Sequence, residues 1–418
     1  MIFGLQSQEK NMAVIKPMVR SNICINAHPI GCAKDTQNQI DWVLAQKAKK
    51  GIKTAKEGNE KAPKTALVLG CSTGYGLASR ITAAFEYGAD TIGVSFEKDA
   101  TETKGGTPGW YNNKAFDKFA AQAGLKSTTF NMDAYSDECR QAVIDEIKKW
   151  GVKFDLVIYS LASPVRTDPD TKVMYRSVLK VIGQEYKGPA LDIMNGTLMP
   201  DVVAPLAEGD DIANTVKVMG GEDWERWFKY LLDADVIAEG CKTVAYSYIG
   251  PKLSHAIYRD GTIGMAKKDL EARAKVIDSM LKKVNGSAYV SVNKGLITRS
   301  SSVIPVIGVY LGCLFKVQKA EGTHEGCKEQ IERLFTERLY TADGKVPVDE
   351  EGRIRIDDWE LRPETQAKVD KVMPNITQDN IAEMIDLEGV RKDFLNINGF
   401  DVDGVDYSKE VTDMSAID

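Results

Sequence analysis

The run from Leu67 to Gly76 carries the clearest chemical signal in the chain. Leu67-Val68-Leu69 is apolar, and Gly70, Gly74 and Gly76 follow in a G-x-x-x-G-x-G spacing with Cys71, Ser72, Thr73 and Tyr75 between them. Glycines in such a turn let the backbone fold sharply and approach a pyrophosphate, whose charge meets a helix N-terminus. The chemistry implied is dinucleotide binding, in the setting of a strand leading in and a helix leading out. The next apolar stretch ends at Phe96-Glu97, 21 residues beyond Gly76. A carboxylate there accepts hydrogen bonds from the adenosine ribose hydroxyls and repels a 2′-phosphate, so Glu97 points to NADH, against the one contrary charge of Lys98. Asp133-Ala134, after a third apolar stretch, is placed to bracket the adenine. Ser160-Leu161-Ala162, after a fourth, is placed under the nicotinamide ribose.

A second set of candidates follows the fifth apolar stretch: Tyr246, Tyr248 and Tyr258, with Lys267 and Lys268. A tyrosine hydroxyl beside a lysine can polarise a carbonyl and steady the charge that develops on it. Tyr258 and Lys267 stand nine residues apart, which on one continuous helix puts them about 180° apart. Asp260-Gly261 and Gly264 intervene and mark a break, which places Tyr258 on a loop and Lys267 in the first turn of the next helix. The two side chains then converge. Without the glycine turn upstream, a buried tyrosine and a surface lysine would be the better reading.

These residues need a scaffold, and the pattern supplies one. Val14–Pro17 and Ile23-Cys24-Ile25 read as two short strands of a hairpin. A polar helix near 34–50 and a Lys/Gly-rich linker over 51–64 come next. Strands at 65–69, 91–96, 128–132 and 156–159 then alternate with helices at 78–87, 114–124 and 136–150. Such alternation makes βαβ units and a Rossmann-type, doubly wound parallel sheet in an α/β fold. Residues 163–242 form an insertion, polar at first and helical around 212–218 and 224–232. The rhythm resumes with a strand at 243–249, a helix from 264 to about 284 and a strand at 288–292. The apolar run 302–316 reads as a helix, and the acidic part, 317–418, as further helices. Sheet strands on both sides of the insertion must complete one sheet, so residues 12–418 read as a single elaborated domain behind a tail, 1–11.

Composition excludes little but excludes it cleanly. The 418 residues are 43% hydrophobic and 27% charged, ordinary for a globular protein. No apolar run is long enough for a membrane span, and the N-terminus lacks a basic segment followed by an apolar one. From Thr341 onward 20 acidic residues face 9 basic ones, which argues against nucleic acid along the tail. Seven cysteines without a C-x-x-C pair read as reduced thiols of a cytoplasmic protein. Cys24, His28 and Cys32 offer three metal ligands but no fourth, so local packing is the better reading and no metal is expected.

The segments KPMVRSNICINAHPIGC, GCSTGYGLASRITAAF, TPGWYNN, YSLASPVRTDP, VKVMGGEDWERW, VAYSYIGP, GTIGMAKKDLE, SVNKGLITRSSSVIPV, HEGCKEQIERLF and RIRIDDWE stand in this order over nearly the whole chain from Val14. Through them the chain resembles the trans-2-enoyl-CoA reductase family, itself similar to the type V enoyl-acyl-carrier-protein reductases, and the turn is the variant of short-chain dehydrogenases. The resemblance implies a monomeric NADH-dependent enzyme that reduces a 2-enoyl thioester, carried on coenzyme A or on acyl carrier protein, in fatty-acid metabolism. It implies Tyr258 as catalytic within a Tyr-x8-Lys pattern, Lys267 as a cofactor contact and Tyr248 as a substrate contact. It also implies that Gly70 to Tyr75, Phe96, Glu97, Asp133, Ala134, Leu161, Ala162, Leu296, Ile297 and Thr298 line the cofactor. Residues 1–11 and the stretch 173–201 depart from the pattern. The rival readings are a ketoreductase or alcohol dehydrogenase, which would want Tyr-x3-Lys, and a silent dinucleotide sensor, which would not need the Tyr–Lys pair.

Overall fold

The computed structural model describes residues 14–418 apart from 303, 305 and 306. The tail 1–11 lies outside the described residues. The chain opens on a hairpin, β1 (Val19–Arg20) against β2 (Ile23–Cys24), turned by Ser21 and Asn22 in the left-handed region. Its first strand lies a few residues later than expected. Helix α1 (Pro29–Lys50) also begins earlier than expected, because Pro29 suits the first turn and the His28 ring accepts from the Gly31 N–H. That capping role, with Cys32 buried one turn on, is what the Cys24–His28–Cys32 spacing does here. Among the described residues no group of three or more His, Cys, Asp or Glu side chains is placed to hold a metal ion.

Strand and helix then alternate as expected: β3 (Thr65–Leu69), α2 (Gly74–Ile81), β4 (Asp90–Ser95), α3 (Pro108–Gln122), β5 (Ser127–Asn131), α4 (Asp137–Trp150) and β6 (Phe154–Tyr159). The insertion is where expectation and structure part. Its first half holds two hairpins, β7 (Val165–Thr167) with β8 (Met174–Arg176) and β9 (Tyr186–Asp192) with β10 (Thr197–Ala204). Its second half holds α5 (Asp211–Met219) and α6 (Glu222–Asp233), close to the expected spans. After it come β11 (Ile237–Ser247), α7 (His255–Tyr258), α8 (Thr262–Leu281), β12 (Ser287–Val292), α9 (Ile307–Glu321), α10 (Cys327–Leu334), β13 (Ile354–Arg355), α11 (Pro363–Val372), α12 (Ile381–Met384) and α13 (Leu387–Asn396).

Seven strands form one parallel sheet in the order β13-β12-β11-β6-β3-β4-β5. This is the doubly wound topology of the short-chain dehydrogenase kind. Alternate side chains of each strand serve opposite faces. Leu67 and Leu69 pack with Trp224, Trp227, Phe228 and Ile277 on one side, while Ala66 and Val68 pack with Ile331 and Leu334 on the other. The two indoles are fully buried yet satisfied, Trp224 Nε1 donating to Thr243 Oγ1 at 3.0 Å and Trp227 Nε1 to Ala134 O at 3.0 Å. A third core lies beyond the sheet, where α9 meets the hairpin β9–β10 and the C-terminal helices around Leu191, Leu311, Phe315, Val390 and Phe394. Chain order reverses between β3 and β6, so a crevice opens at their carboxyl ends, and the third core closes its far side.

Candidate active site

The turn after β3 has the geometry that its glycines were expected to serve. Gly70 sits at φ 85°, and a Cβ there would lie 2.3 Å from the Ser160 carbonyl oxygen. A Cβ on Gly76 would lie 1.8 Å from the Gly70 carbonyl oxygen. Both contacts are backbone on backbone, so neither position admits a side chain. Helix α2 starts from an extended Thr73 whose side chain makes no capping bond, and its first N–H groups therefore face the crevice free of an intrahelical partner. The Cys71 thiol is buried beneath the sheet, which leaves only backbone at that position for a ligand. Thr298 approaches the turn from the opposite wall, 3.9 Å from where a Gly74 Cβ would stand. A cavity of about 180 Å³ opens between Thr73, Gly74, Leu77 and Leu296 to Thr298.

Glu97 lies at the end of β4, as the spacing required. Its carboxylate accepts from Ser72 Oγ at 2.7 Å and pairs with Arg299 Nη1 at 2.9 Å. Room for it comes from Gly109, whose Cβ would fall 2.3 Å from Oε1. Arg299, which the sequence reading passed over, reaches across from beyond β12 and shares the charge that a ribose would meet. Phe96 is 78% exposed beside it, a bare aromatic face. Asp133 Oδ1 accepts from the Tyr135 N–H at 2.9 Å, which fixes the turn after β5. Leu161 and Ala162 follow β6 along the crevice, Leu161 leaning on the sheet core.

The tyrosine and lysine candidates separate cleanly. Tyr246 turns its hydroxyl away to Ser79 Oγ at 2.5 Å, and Lys268 stands exposed near Asp260. Tyr258 ends α7, a single turn of helix rather than the expected loop. Asp260-Gly261 then breaks the chain before α8, so the interrupted spacing is real. Lys267 falls in the second turn of α8, because that helix starts two residues earlier than expected. Its ammonium donates to the Tyr246 carbonyl at 3.2 Å, and burial pulls it down to about 8. The Tyr258 hydroxyl donates to no protein group among the described residues, and burial pushes it well above the ordinary phenol range. Tyr248 packs edge-on against it, ring centroids 4.8 Å apart. Behind Tyr248 stand Glu360, Tyr310 and Lys294, none of which the sequence reading singled out. Glu360 lies in the quoted segment RIRIDDWE, but in an acidic tail one more carboxylate looks like solvated surface.

Three family models divide this chain. A trans-2-enoyl-CoA reductase catalytic region matches residues 104–340, an NAD(P)H binding domain of trans-2-enoyl-CoA reductase matches 14–102, and an enoyl reductase FAD binding domain matches 348–411. The chain is 58% identical over 400 residues to the trans-2-enoyl-CoA reductase [NADH] of Treponema denticola, covering 95% of this chain and 98% of that one. It is 51% identical over 405 residues to the enoyl-[acyl-carrier-protein] reductase [NADH] of Cytophaga hutchinsonii, covering 97% and 99%. The crystal structure of the Treponema denticola enzyme in complex with NAD superposes with a TM-score of 0.91 at 56% identity, covering 96% of this chain and 98% of that one.

The uncapped helix start, the glycine cradle and the carboxylate of Glu97 fit a nicotinamide dinucleotide. Residues 348–411 do not fit a flavin. They contain no strand–glycine turn–helix, and Ile356, Val369, Ile381, Val390 and Phe394 are spent on the protein core. Gly399, at φ 74°, is pressed on α1, where a Cβ would fall 2.4 Å from the Cys32 nitrogen.

Proposed function

The chain belongs to the trans-2-enoyl-CoA reductase family, and from that premise we propose that it reduces the carbon–carbon double bond of a 2-enoyl thioester with NADH, Tyr258 being the catalytic hydroxyl. The observation that supports the assignment of Tyr258 is a buried tyrosine whose hydroxyl has no protein partner among the described residues, packed in one core with Leu296 and Ile297 of the wall facing the cofactor turn. Gly70 to Tyr75, Glu97 and Leu296 to Thr298 would hold the dinucleotide, with Phe96, Asp133 and Ala134 at its adenosine end and Leu161 and Ala162 along its ribose. Bound NADH supplies a hydride to the β-carbon of the substrate. As the double-bond electrons shift toward the thioester, negative charge gathers on its oxygen, and the Tyr258 hydroxyl would donate to it. Lys267 would hold the nicotinamide ribose and lend positive charge at the same end of the site. Tyr248, edge-on to Tyr258, would bound the thioester, and a proton delivered to the α-carbon through Tyr258 or water completes the reduction.

Relatives named for both carriers are about equally covered, so crotonyl-CoA and crotonyl-acyl-carrier protein are compared directly, with acetoacetyl-CoA as the control for carbonyl reduction. NADH consumption with the enoyl thioesters alone is the expected result. Tyr258→Phe is expected to lower kcat by roughly a hundredfold or more while NADH still binds. Near-normal turnover by that variant would assign carbonyl polarisation to another group. A monomeric state, which the family resemblance implies, is part of the same proposal. Free cysteines throughout support a reducing, cytoplasmic setting, and no described helix is long and apolar enough to cross a membrane. A role in fatty-acid metabolism follows from the substrate class.

A further inference from the structure

Glu360 is fully buried, and its carboxylate joins three parts of the chain. Oε1 accepts from the Tyr248 hydroxyl at 3.0 Å and from the Tyr310 hydroxyl at 2.7 Å, and Oε2 accepts from the Gly295 N–H at 2.7 Å. Gln366 Nε2 donates to the Tyr310 oxygen at 3.1 Å, so the one proton of Tyr310 is committed to Glu360. The same amide donates to the Glu360 carbonyl at 2.7 Å and pins the backbone that carries the carboxylate. Space round the Tyr248 hydroxyl is kept by two glycines. A Cβ on Gly250 would fall 2.6 Å from that oxygen, and one on Gly295 3.0 Å from it.

A buried carboxylate is costly, and well-packed apolar side chains of similar volume usually serve stability as well or better. Its retention therefore calls for a geometric reason. Tyr310 and Gly295 fix Glu360 through its other two bonds. Tyr248 is the one partner whose ring also touches Tyr258. We propose that Glu360 is a positioning residue for the reduction, holding the Tyr248 hydroxyl at the thioester end of the site and, through the Tyr248 ring, setting the place of Tyr258. The segment matched to a flavin-domain model thus supplies a side chain to the nicotinamide reaction. This inference rests on the reading of Tyr248 and Tyr258 given above.

The test is a double-mutant cycle in kcat/KM with crotonyl-CoA and NADH, using Glu360→Gln, Tyr248→Phe and both together. Wild type is measured first: if it does not reduce crotonyl-CoA, the proposed function falls, independently of Glu360. Each single variant is expected to lose about tenfold or more, with the double variant within about threefold of Tyr248→Phe and NADH affinity unchanged in all three. Tyr310→Phe removes the more deeply buried bond to the same oxygen and is expected to lower Tm with kcat/KM kept within about threefold. Multiplying losses in the double variant would overturn the proposal, as would a Glu360→Gln enzyme that loses only Tm. Should Glu360→Gln fail to fold, Glu360→Asp keeps the charge, shortens the reach and runs through the same cycle with the same expected outcomes.

Discussion

Lys267 is held in the site by a carbonyl, not by a carboxylate, and that choice of partner has a kinetic consequence. Burial pulls its ammonium down to about 8, with Glu271 opposing more weakly. A lysine with a lowered value is charged below it and neutral above it. If its charge helps to hold the nicotinamide ribose, kcat/KM falls as pH rises through about 8, by about tenfold one unit beyond. A pH profile of the wild type against Lys267→Arg, whose guanidinium stays charged, checks this: the alkaline limb is expected to vanish in the variant even though its rate is lower. A flat wild-type profile to well above that value would remove the ammonium from the mechanism. At this scale the sequence was readable where a residue type is forced by backbone geometry, as at Gly70, or by strand end, as at Glu97. It was silent on Arg299 and Glu360, because an arginine or a glutamate in a polar stretch has the same composition whether it faces water or a partner from across the fold.

Helix α2 does not end where its hydrogen bonds first change; it continues through a wider π-turn, Thr82–Glu86, that lays Glu86 fully inside the protein. Burial and the neighbouring Glu332 carboxylate push Glu86 up to about 9, while Lys50 holds Glu332 at 2.6 Å. A carboxyl raised in the folded state favours folding fully below its ordinary value, and that contribution is lost as pH rises through about 9. Glu86→Gln should therefore stabilise the protein by roughly 1–3 kcal/mol at pH 8 and by little at pH 5, read from urea midpoints at both values. A gain equal at both would mean that Glu86 is not held protonated. The elements themselves were legible where one period rules: Thr65–Leu69 is buried on both faces and reads as a central parallel strand, and α6 declares itself by its tryptophans. The hairpins β7–β8 and β9–β10 were not. Their strands are short or half-exposed, yet Asn195-Gly196 stood in the second turn, with Gly196 at φ 67° and its N–H on the Asp192 carbonyl at 2.8 Å. That pair was the available signal. The two-residue strand β13 has no signal of its own, since it exists only because β12 offers an edge.

Ends far apart in sequence meet in the whole molecule. The Asn398 amide donates to the carbonyls of Cys24 and Asn26, and the His28 N–H donates to the Asn398 carbonyl at 2.9 Å. Phe394, 2% exposed, packs in the same core as Tyr258, Leu296 and Ile297. A C-terminal part attached this way should not unfold by itself. Phe394→Ala leaves a cavity in that shared core, and losses of about 3–5 kcal/mol are usual for such a truncation. Two outcomes are then expected together. Urea unfolding, followed by both tryptophan fluorescence and far-ultraviolet circular dichroism, should stay a single transition at a lower midpoint with an unchanged slope. Turnover of crotonyl-CoA should fall at urea concentrations below that midpoint no sooner than the two optical signals do. An early transition confined to the C-terminal helices, or activity lost well ahead of both signals, would make residues 348–411 a separate unit laid on the reductase. Coincident curves would make them part of the one cooperative body that holds the site.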